Sequence, residues 1–493
     1  MNALATGTLF VGAIFVCAWS MLPRVGAVAA GVALTVTAAS AEGLYATIDL
    51  LRRARPLSRL RELNIDAISA WYFQGVSIDG LPRSIWWNPQ HSLACAFGLI
   101  ALTIAARASL SSASPWTLTG NGRRVTGNGK RVTGNGKRET ASAAMSWRAA
   151  AAAGTALGFA LIMSPFPGGA MVLIYGVAVL WSALGQPSQL LRSVLAQLAA
   201  VVPVALALGW DVFNRTFEGA GGAVAIGLSD AGRKSLGFVI LLALGPVLVP
   251  AVAGILAALF GGWSRTLRPA IAGLVISLFL MFFVTLTLEP IWIGWRAGQV
   301  FLVSIPALVA ASLAALHDRL GRVAAGTLGA LILAMGLPTT AIDVFNAQDT
   351  SNTAMGAGFR WTVVISPAER EALEWIERST PPDAIVQMAP GPRGRETWTL
   401  IPSFARRRMA TGLPISLLRN PEYEERSARA DRIFSSGNAE EASRIAHELR
   451  VDYVYAGSVE RETFATAIAA LDARPDLFPV AFRNDKATVY AVK

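Results

Sequence analysis

The segment from Glu42 to His91 combines carboxylates with tryptophans, and both residue types suit a site that handles a sugar or a phosphate. A carboxylate can deprotonate an acceptor hydroxyl or hold a divalent cation on a phosphate, while an indole can stack on a sugar ring. The segment contains Glu42, Asp49, Glu62, Asp66, Asp79, Trp71, Tyr72, Trp86 and the sequence Trp87-Asn88-Pro89-Gln90-His91. The candidate catalytic residues are Glu42, Asp66 and Asp79. The candidate substrate-binding residues are Trp87 and His91.

A second group places an acid, a base and two indoles within residues 289–299, Glu289-Pro290-Ile291-Trp292-Ile293-Gly294-Trp295-Arg296-Ala297-Gly298-Gln299. A guanidinium offers two parallel hydrogen bonds to phosphate oxygens, so Arg296 could bind a lipid-linked phosphate. The other candidate substrate-binding residues of this group are Trp295, Trp292, Glu289 and Gln299.

Both groups also have a structural interpretation. Tryptophans at a bilayer interface commonly form a belt, Pro-Gln-His before a helix is typical of a cap, and Glu289 could pair with Arg296 in an interfacial turn. A third polar group begins at Asp343 and Asn346 and continues into an arginine-rich stretch that ends at residues 406–408. That stretch suits an anionic ligand or the membrane surface, but also ordinary docking of a domain.

Familiar soluble motifs are absent from the sequence. We find no Walker loop, GxSxG elbow, HExxH or CxxC. The three histidines, His91, His317 and His447, are too far apart to suggest a metal site. The cofactor requirement is therefore unknown, and a divalent cation held by the carboxylates is its candidate.

Membrane helices hold these candidate residues in place. Of the whole chain, 53% is hydrophobic and only 15% is charged, and the apolar residues are concentrated before residue 340. A transmembrane helix needs about 20 mostly apolar residues, because the hydrocarbon core is about 30 Å thick. We predict a polytopic membrane domain of about ten helices, at 4–20, 25–47, 91–108, 148–163, 168–185, 193–209, 236–259, 269–288, 298–316 and 322–339.

Loop charge predicts the side of the membrane on which each loop lies, since Lys and Arg collect in cytoplasmic loops. The low-complexity loop 109–147 contains three near-copies of a basic heptad from Thr119 to Glu139, namely TGNGRRV, TGNGKRV and TGNGKRE. With this flexible loop inside, the segments around 211–234 and 289–299 and the C-terminal domain lie outside the cytoplasm. The net charge of +11 is thus explained by topology, and we expect no nucleic-acid partner.

The loop 49–90 also falls outside, although it carries the arginines Arg52, Arg53, Arg55, Arg59, Arg61 and Arg83. Its apolar residues recur at near-helical spacing, at Ile48, Leu51, Leu57, Leu60 and Leu63. We therefore predict a helix along the membrane surface, from which the arginines extend to the polar interface.

The sequence after residue 340 predicts a small soluble α/β domain. The predicted helices and strands are helices at 368–378, 440–449 and 463–471, strands at 384–388 and 451–456, and a closing hairpin of 478–482 with 487–492. The predicted fold class is an α-helical polytopic membrane domain, residues 1–340, followed by a small α/β extracytoplasmic domain, residues 341–493.

This layout resembles membrane glycosyltransferases of the GT-C superfamily. The resemblance rests on the many spans, the long loop with a surface helix, the segment Trp295-Arg296-Ala297-Gly298-Gln299, and a C-terminal α/β domain with the sequences VDYVYAG and VYAV. It implies a polyprenyl-phosphate sugar donor and an acidic residue in an extracytoplasmic loop, often the first. Two departures, the lack of an Asp-x-Asp or Glu-x-Asp pair and a predicted outside N-terminus, suggest an inactive or N-terminally shortened relative.

The leading hypothesis is a bacterial inner-membrane glycosyltransferase-like protein that moves a sugar from a polyprenyl-phosphate donor to an extracytoplasmic glycan or lipid acceptor. Asp66 or Asp79 would be the base, and Arg296 would hold the donor phosphate. The alternative is a non-catalytic integral membrane protein of the cell envelope with the same layout. A transporter is less favoured, because we see no inverted repeat and the charges cluster at span ends.

Overall fold

The computed structural model describes residues 3–110, 145–185, 187–214, 224–261, 263, 265–287, 291–348, 365–390, 400–412 and 421–493. The basic heptad repeat and Glu289 lie outside these ranges, as do the side chains of Asp66, Trp71, Trp87 and Trp292. By its internal contacts the chain divides into two units. Unit 1 contains residues 1–216 and 223–349, and unit 2 contains residues 217–222 and 350–493.

Unit 1 is helical because its apolar, alanine- and leucine-rich blocks satisfy their backbone hydrogen bonds internally. Within the described ranges its helices are α1 (Ala3–Met21), α2 (Val25–Thr37), α3 (Glu42–Arg52), α4 (Ile68–Phe73), α5 (Leu81–Trp87), α6 (Pro89–Leu110), α7 (Trp147–Met163), α8 (Pro165–Leu184), α9 (Leu190–Phe213), α10 (Asp230–Phe238), α11 (Gly245–Gly261), α12 (Arg268–Phe283), α13 (Ile291–Ser304) and α14 (Pro306–Gln348). A two-stranded antiparallel ribbon pairs β1 (Val224–Ile226) with β2 (Val284–Leu286).

The chain is a multi-pass membrane protein. Among the described residues, six helical segments are long and apolar enough to cross a membrane: Leu4–Met21, Pro89–Ala108, Pro165–Leu184, Pro187–Phe213, Leu236–Phe260 and Pro306–Asn346. The bent pair of α2 and α3 makes a seventh if it crosses as one span, while α7 and α12 are apolar but shorter. The predicted count of about ten spans is therefore not confirmed.

The helices depart from the predicted spans at three places. The predicted span 298–316 is divided between α13 and α14, because Pro306 has no N–H to donate and disfavours helical backbone at the preceding residue. The predicted span 25–47 bends by 47° between α2 and α3. The predicted loop at 317–322 is instead a change of direction within α14 at Gly321, whose φ of 84° is readily adopted by glycine.

The break between α2 and α3 is stabilised by a second irregular segment. Val239–Leu244, between α10 and α11, forms a π-helix, and its Leu242 carbonyl accepts the Ala41 N–H at 2.7 Å. The Thr339 hydroxyl on α14 donates to the Ser40 carbonyl at 2.6 Å. Because unpaired backbone groups are costly within a bilayer, these bonds allow the chain to leave the helical path.

Close contacts determine the direction of α2 against the second half of α14. A Cβ atom at Gly43 would lie 2.5 Å from the Thr339 backbone, and one at Gly336 would overlap the Ala38 carbonyl. The other end of α2 meets the middle of α14, since Arg24 pairs with Asp318 at 2.7 Å. The two segments therefore run in the same direction. At 1.5 Å per residue, α2 separates its two ends by about 20 Å.

The two ends of unit 1 differ in the balance of their charges: exposed arginines occur at both, but the carboxylates Asp49, Glu62, Asp79 and Asp343 accompany those of one end. The end near the start of α2, called the basic end, carries Arg24, Arg265, Arg268, Arg319 and Arg322. Here Arg24 lies over the Trp263 ring and Arg268 over the Trp181 ring. The opposite end, called the site end, contains Glu42, Thr339 and the residues described below.

The arginine-rich segment after α3 is not the continuous surface helix that the sequence predicts. α3 ends at Arg52, Ala54 has a φ of 50°, and a short 3-10 turn follows at Leu57–Glu62 after Pro56. Proline lacks the N–H that a continuing helix requires. The arginines Arg52, Arg53, Arg55, Arg59 and Arg61 are exposed, whereas Arg83 is only 4% exposed.

Unit 2 is a small α/β domain, as the sequence predicts. Its helices and strands in the described ranges are α15 (Pro367–Ser379), α16 (Leu400–Phe404), α17 (Pro421–Ser435), α18 (Ala439–Glu448), α19 (Ser458–Thr463), α20 (Ala465–Asp472), β3 (Val386–Gln387), β4 (Tyr453–Ala456), β5 (Val480–Arg483) and β6 (Thr488–Ala491). The sheet order is β3-β4-β6-β5, with β3 parallel to β4 and the other pairs antiparallel.

The sheet of unit 2 lies between two cores. Val454 opposes Tyr490 and packs on one core, while Tyr455 opposes Val489 and packs on the other. This alternation follows from the two-residue period of a strand. The predicted helices at 368–378, 440–449 and 463–471 and the closing hairpin are confirmed, with ends that shift by a few residues.

Candidate functional site

Arg83 is the centre of a buried ionic network at the site end of unit 1. Its guanidinium lies 2.8 Å from a carboxylate oxygen of Asp343, 2.5 Å from the Asn64 amide oxygen and 3.7 Å from a carboxylate oxygen of Asp79. Removing a charge from water costs several kcal/mol unless close partners compensate. Asn64, Asp79 and Arg83 are near one another in sequence and Asp343 is distant, so the network joins α5 and the segment before it to the last turns of α14.

Asp79 connects this network to α13. The Trp295 indole N–H donates to Oδ2 of Asp79 at 2.9 Å, and the Arg296 guanidinium lies 4.4 Å from the centre of the Trp295 ring. Asp79 and Arg296 also interact electrostatically. A candidate base and a candidate phosphate ligand, far apart in sequence, thus lie in one small region.

Two glycines of α13 allow its backbone to approach the loop that carries Asp79. A Cβ atom at Gly298 would lie 2.7 Å from a methyl group of Ile78, and one at Gly294 would lie 3.2 Å from Val76. Ile78 and Val76 are both buried. The close approach of α13 to residues 76–78 therefore sets the position of Asp79 relative to Trp295.

Gly298→Val should displace the loop that carries Asp79 and lower the free energy of unfolding by about 1–3 kcal/mol, the usual cost of overpacking a filled core. Gly209→Val on α9 is the matched control, because a Cβ there would meet nothing within 4 Å. The thermal midpoint of each purified protein in detergent measures the difference. Equal midpoints for the two variants would contradict the close contact.

His91 and Gln299 lie buried beside this region, with exposures of 8% and 5%. The Nδ1 atom of His91 is 2.6 Å from the Ser164 hydroxyl, and the Gln299 amide donates to the Ser92 hydroxyl at 3.4 Å. Among the described residues, Nε2 of His91 has no hydrogen-bond partner. Arg296 acts electrostatically on His91, so the Arg296 guanidinium and the His91 ring lie near each other.

Glu42 has a different environment from that of Asp79. It is fully buried, its Oε1 accepts the Ser69 N–H at 2.6 Å, and its Oε2 accepts the Ser40 hydroxyl at 3.2 Å. These bonds tie the start of α3 to the start of α4. The geometry favours a structural role for this candidate catalytic residue.

Several predicted site residues lie outside the described part of the chain. These are Glu289 and the side chains of Asp66, Trp87 and Trp292, so the Glu289–Arg296 pair remains a prediction.

Asn346, from the third polar group of the sequence, has a structural role, since it donates to the Leu60 and Leu63 carbonyls at 2.9 and 3.3 Å. In the described ranges no group of three or more His, Cys, Asp or Glu side chains could hold a metal ion.

The sequence does not single out Arg83 and Asn64 as site residues. Arg83 belongs to the arginines of the loop 49–90, which the sequence predicts to extend to the polar membrane interface. One local signal was present, since Asp79 and Arg83 have the four-residue spacing of an ion pair. Nothing in the sequence near Asn64 distinguishes it.

No family model matches the chain, and no curated protein matches it. Among solved structures it is similar to the archaeal oligosaccharyltransferase AglB from Archaeoglobus fulgidus in complex with an inhibitory peptide and a dolichol-phosphate. The TM-score is 0.42 and the identity 14%, covering 100% of this chain and 63% of that one. A second similar structure is the Archaeoglobus fulgidus oligosaccharyltransferase tethered with an acceptor peptide containing the NVT sequon via a disulfide bond. For this pair the TM-score is 0.40 and the identity 13%, covering 100% of this chain and 62% of that one.

The chain thus spans less than two thirds of the length of these structures. At such TM-scores and identities the similarity assigns no activity to it.

Proposed function

We propose that this chain is a membrane glycosyltransferase-like protein that transfers a sugar from a polyprenyl-phosphate donor to a glycan or lipid acceptor. The observation that carries the proposal is the meeting of the buried Asp79 and His91 with the half-buried Trp295 and Arg296, next to the Arg83 network. Ionisable groups are costly to bury in a membrane protein, and their retention suggests use. A carboxylate beside a cation and an indole suits the transfer of a sugar from a phosphate.

In the proposed reaction the anomeric carbon exchanges one oxygen for another. Asp79 takes the proton of the acceptor hydroxyl, whose oxygen bonds to the anomeric carbon while the bond from that carbon to the phosphate oxygen breaks. The electron pair leaves with the phosphate, and Arg296 offsets its negative charge through two parallel hydrogen bonds. The Trp295 ring lies beside both residues and supplies a surface for the sugar.

His91 can take part in the same reaction through one of its two tautomers. When the Ser164 hydroxyl donates to Nδ1, the ring proton is on Nε2, and Nε2 can then donate to the departing phosphate. Gln299 adds a second neutral donor close by. Asp66 remains the other candidate base, and Trp87, Trp292 and Glu289 remain candidate substrate-binding residues.

We infer a location in the bacterial inner membrane, with the site end and the C-terminal domain on the extracytoplasmic side. The support is the accumulation of Arg24, Arg265, Arg268, Arg319 and Arg322 at the opposite end, together with the basic loop 109–147. On this orientation the donor phosphate lies at the outer leaflet, where Arg296 is available to it.

Arg296→Lys should lower sugar transfer about tenfold or more, because an ammonium group cannot reproduce the two parallel bonds of a guanidinium. Arg268→Lys is the matched control, since Arg268 also lies over a tryptophan ring but at the basic end. Incorporation from a labelled polyprenyl-phosphate sugar is measured in membranes that contain equal amounts of each protein. Equal loss in both variants, or no incorporation by the unmodified protein, would contradict the proposal.

The non-catalytic alternative has one observation in its favour. The Arg83 guanidinium has close partners in Asp79, Asp343 and Asn64, and such a network could serve stability alone. In that case removing the charge of Asp79 would change the amount of protein but would not change any activity. The two proposals therefore differ in measurable results.

A further inference from the structure

A groove of about 760 Å³ lies between α2 and α14, at the basic end of unit 1. Its walls are formed almost entirely by small and aliphatic side chains, among them Ala27, Ala30, Leu313, Gly326, Gly329 and Leu333. Arg24 and His317 also line it. The groove is thus apolar along its length and basic where Arg24 stands.

The glycines of this groove are not explained by packing within the described chain. A Cβ atom at Gly26, Gly326 or Gly329 would meet nothing within 4 Å, whereas one at Gly31 on the same α2 would lie 2.7 Å from the Pro306 carbonyl. A glycine within a helix costs about 1 kcal/mol relative to alanine. Three such glycines along the wall of one groove leave a space that the described chain does not fill.

Charge at the mouth of the groove indicates what kind of molecule fits this space. Arg24 and Asp318 form an ion pair in which both side chains remain about two-fifths exposed, at 41% and 43%. Arg319 and Arg322 are exposed nearby, as is His317. Three arginines against one aspartate leave an excess of positive charge, which attracts an anion such as a lipid phosphate.

We propose that this groove holds an acyl chain of an anionic phospholipid whose phosphate binds at Arg24 and His317. The apolar walls suit the chain and the basic mouth suits the phosphate, so both ends of one molecule are accommodated. The mouth lies about 20 Å from the site end, the length of α2. The lipid therefore belongs to the other leaflet from the proposed sugar donor, and the inference does not depend on the proposed function.

Small residues along two helices also suit a transmembrane helix of a partner protein. The basic mouth favours the phospholipid, because a helix–helix contact requires no excess of positive charge. Co-purification of one defined membrane protein, lost when the groove is filled, would overturn the proposal in favour of that partner.

The test uses the full chain, purified in mixed micelles that contain phosphatidylglycerol or phosphatidylcholine. Native mass spectrometry counts the lipid retained, and the thermal midpoint reports binding, since a ligand that binds only the folded state stabilises it. We expect phosphatidylglycerol to be retained and to raise the midpoint, and phosphatidylcholine to do neither. Equal retention of both lipids would overturn the proposal.

Two pairs of variants separate lipid binding from simple loss of stability. Gly329→Leu fills the groove and should reduce retained phosphatidylglycerol about tenfold, the effect of losing roughly 1.4 kcal/mol of binding. Gly176→Leu on α8, another helix glycine whose Cβ would meet nothing within 4 Å, should retain it fully. No difference between these two variants would overturn the proposal.

The second pair tests the mouth. Arg24→Gln and Asp318→Asn break the same ion pair, so a purely structural role predicts similar losses of stability and of lipid. Phosphate binding predicts opposite effects on lipid retention, because Arg24→Gln removes a cation from the phosphate whereas Asp318→Asn removes a competing carboxylate. Retention that falls in Arg24→Gln and holds or rises in Asp318→Asn is expected; a fall in both would overturn the assignment of the phosphate to Arg24.

Discussion

Asp79→Asn should abolish sugar transfer while the protein remains folded and present at its normal level. The asparagine carbonyl can still accept the Trp295 N–H, and Arg83 keeps its shorter contacts with Asp343 and Asn64. The substitution removes the ability to take a proton together with one negative charge, and loss of a general base typically costs about 10²- to 10⁴-fold in rate. Incorporation of labelled sugar, normalised to protein amount in the same membranes, measures the effect.

Asp343→Asn is the matched control for this experiment. It removes the same charge from the same network, on the other side of Arg83 and away from Trp295. We expect it to lower protein stability and to leave the transfer rate per molecule within a few fold of normal. If the two variants lose transfer equally, or if Asp79→Asn is active, Asp79 is not the base and Asp66 becomes the leading candidate.

Arg83→Met should be among the most destabilising substitutions in the membrane unit. It leaves the carboxylates of Asp79 and Asp343 buried without their shared cation, and breaking a buried ion pair in this way costs about 3–5 kcal/mol. The free energy of unfolding in detergent, together with the amount of protein in membranes, provides the measurement. This loss requires no catalytic role and therefore tests the geometry of the network alone.

Two further variants make the Arg83 result specific. Arg59→Met changes an exposed arginine of the same loop and should alter the free energy of unfolding by no more than about 0.5 kcal/mol. Adding Asp343→Asn to Arg83→Met removes one of the two uncompensated carboxylates and should recover part of the loss. A value for Arg83→Met close to that of Arg59→Met would mean that the network does not form.

The sequence predicted the elements of unit 2 better than the path of unit 1, for a physical reason. Ser366 and Glu369 are three residues apart and form a capping box at the start of α15, and the closing hairpin joins neighbouring strands. Such signals are local, so they can be read from short stretches. The apolar blocks of unit 1 locate its helices but do not reveal a bend where the helix termini are satisfied by distant groups, as the Leu242 carbonyl does for Ala41.

The candidate site shows the same division between local and long-range information. Residue type alone selected Asp79, Trp295 and Arg296, which the structure brings together. Asp343 belongs to a polar group in the sequence, but its contact with Arg83 depends on how α14 lies against α5, which no local pattern predicts. Glu42 was selected because a carboxylate near a span is unusual, and its bond to the Ser69 N–H supplies a structural reason for its presence instead.

The bond between Ala41 and Leu242 has a consequence for the evolution of this chain. A π-helical turn contains one more residue than an α-helical turn. Deleting one residue within Val239–Leu244 would restore the α-helical bonding pattern and withdraw the Leu242 carbonyl from Ala41. The extra residue in one segment and the bend in the other therefore depend on each other. We expect homologues that have lost either one to have lost both.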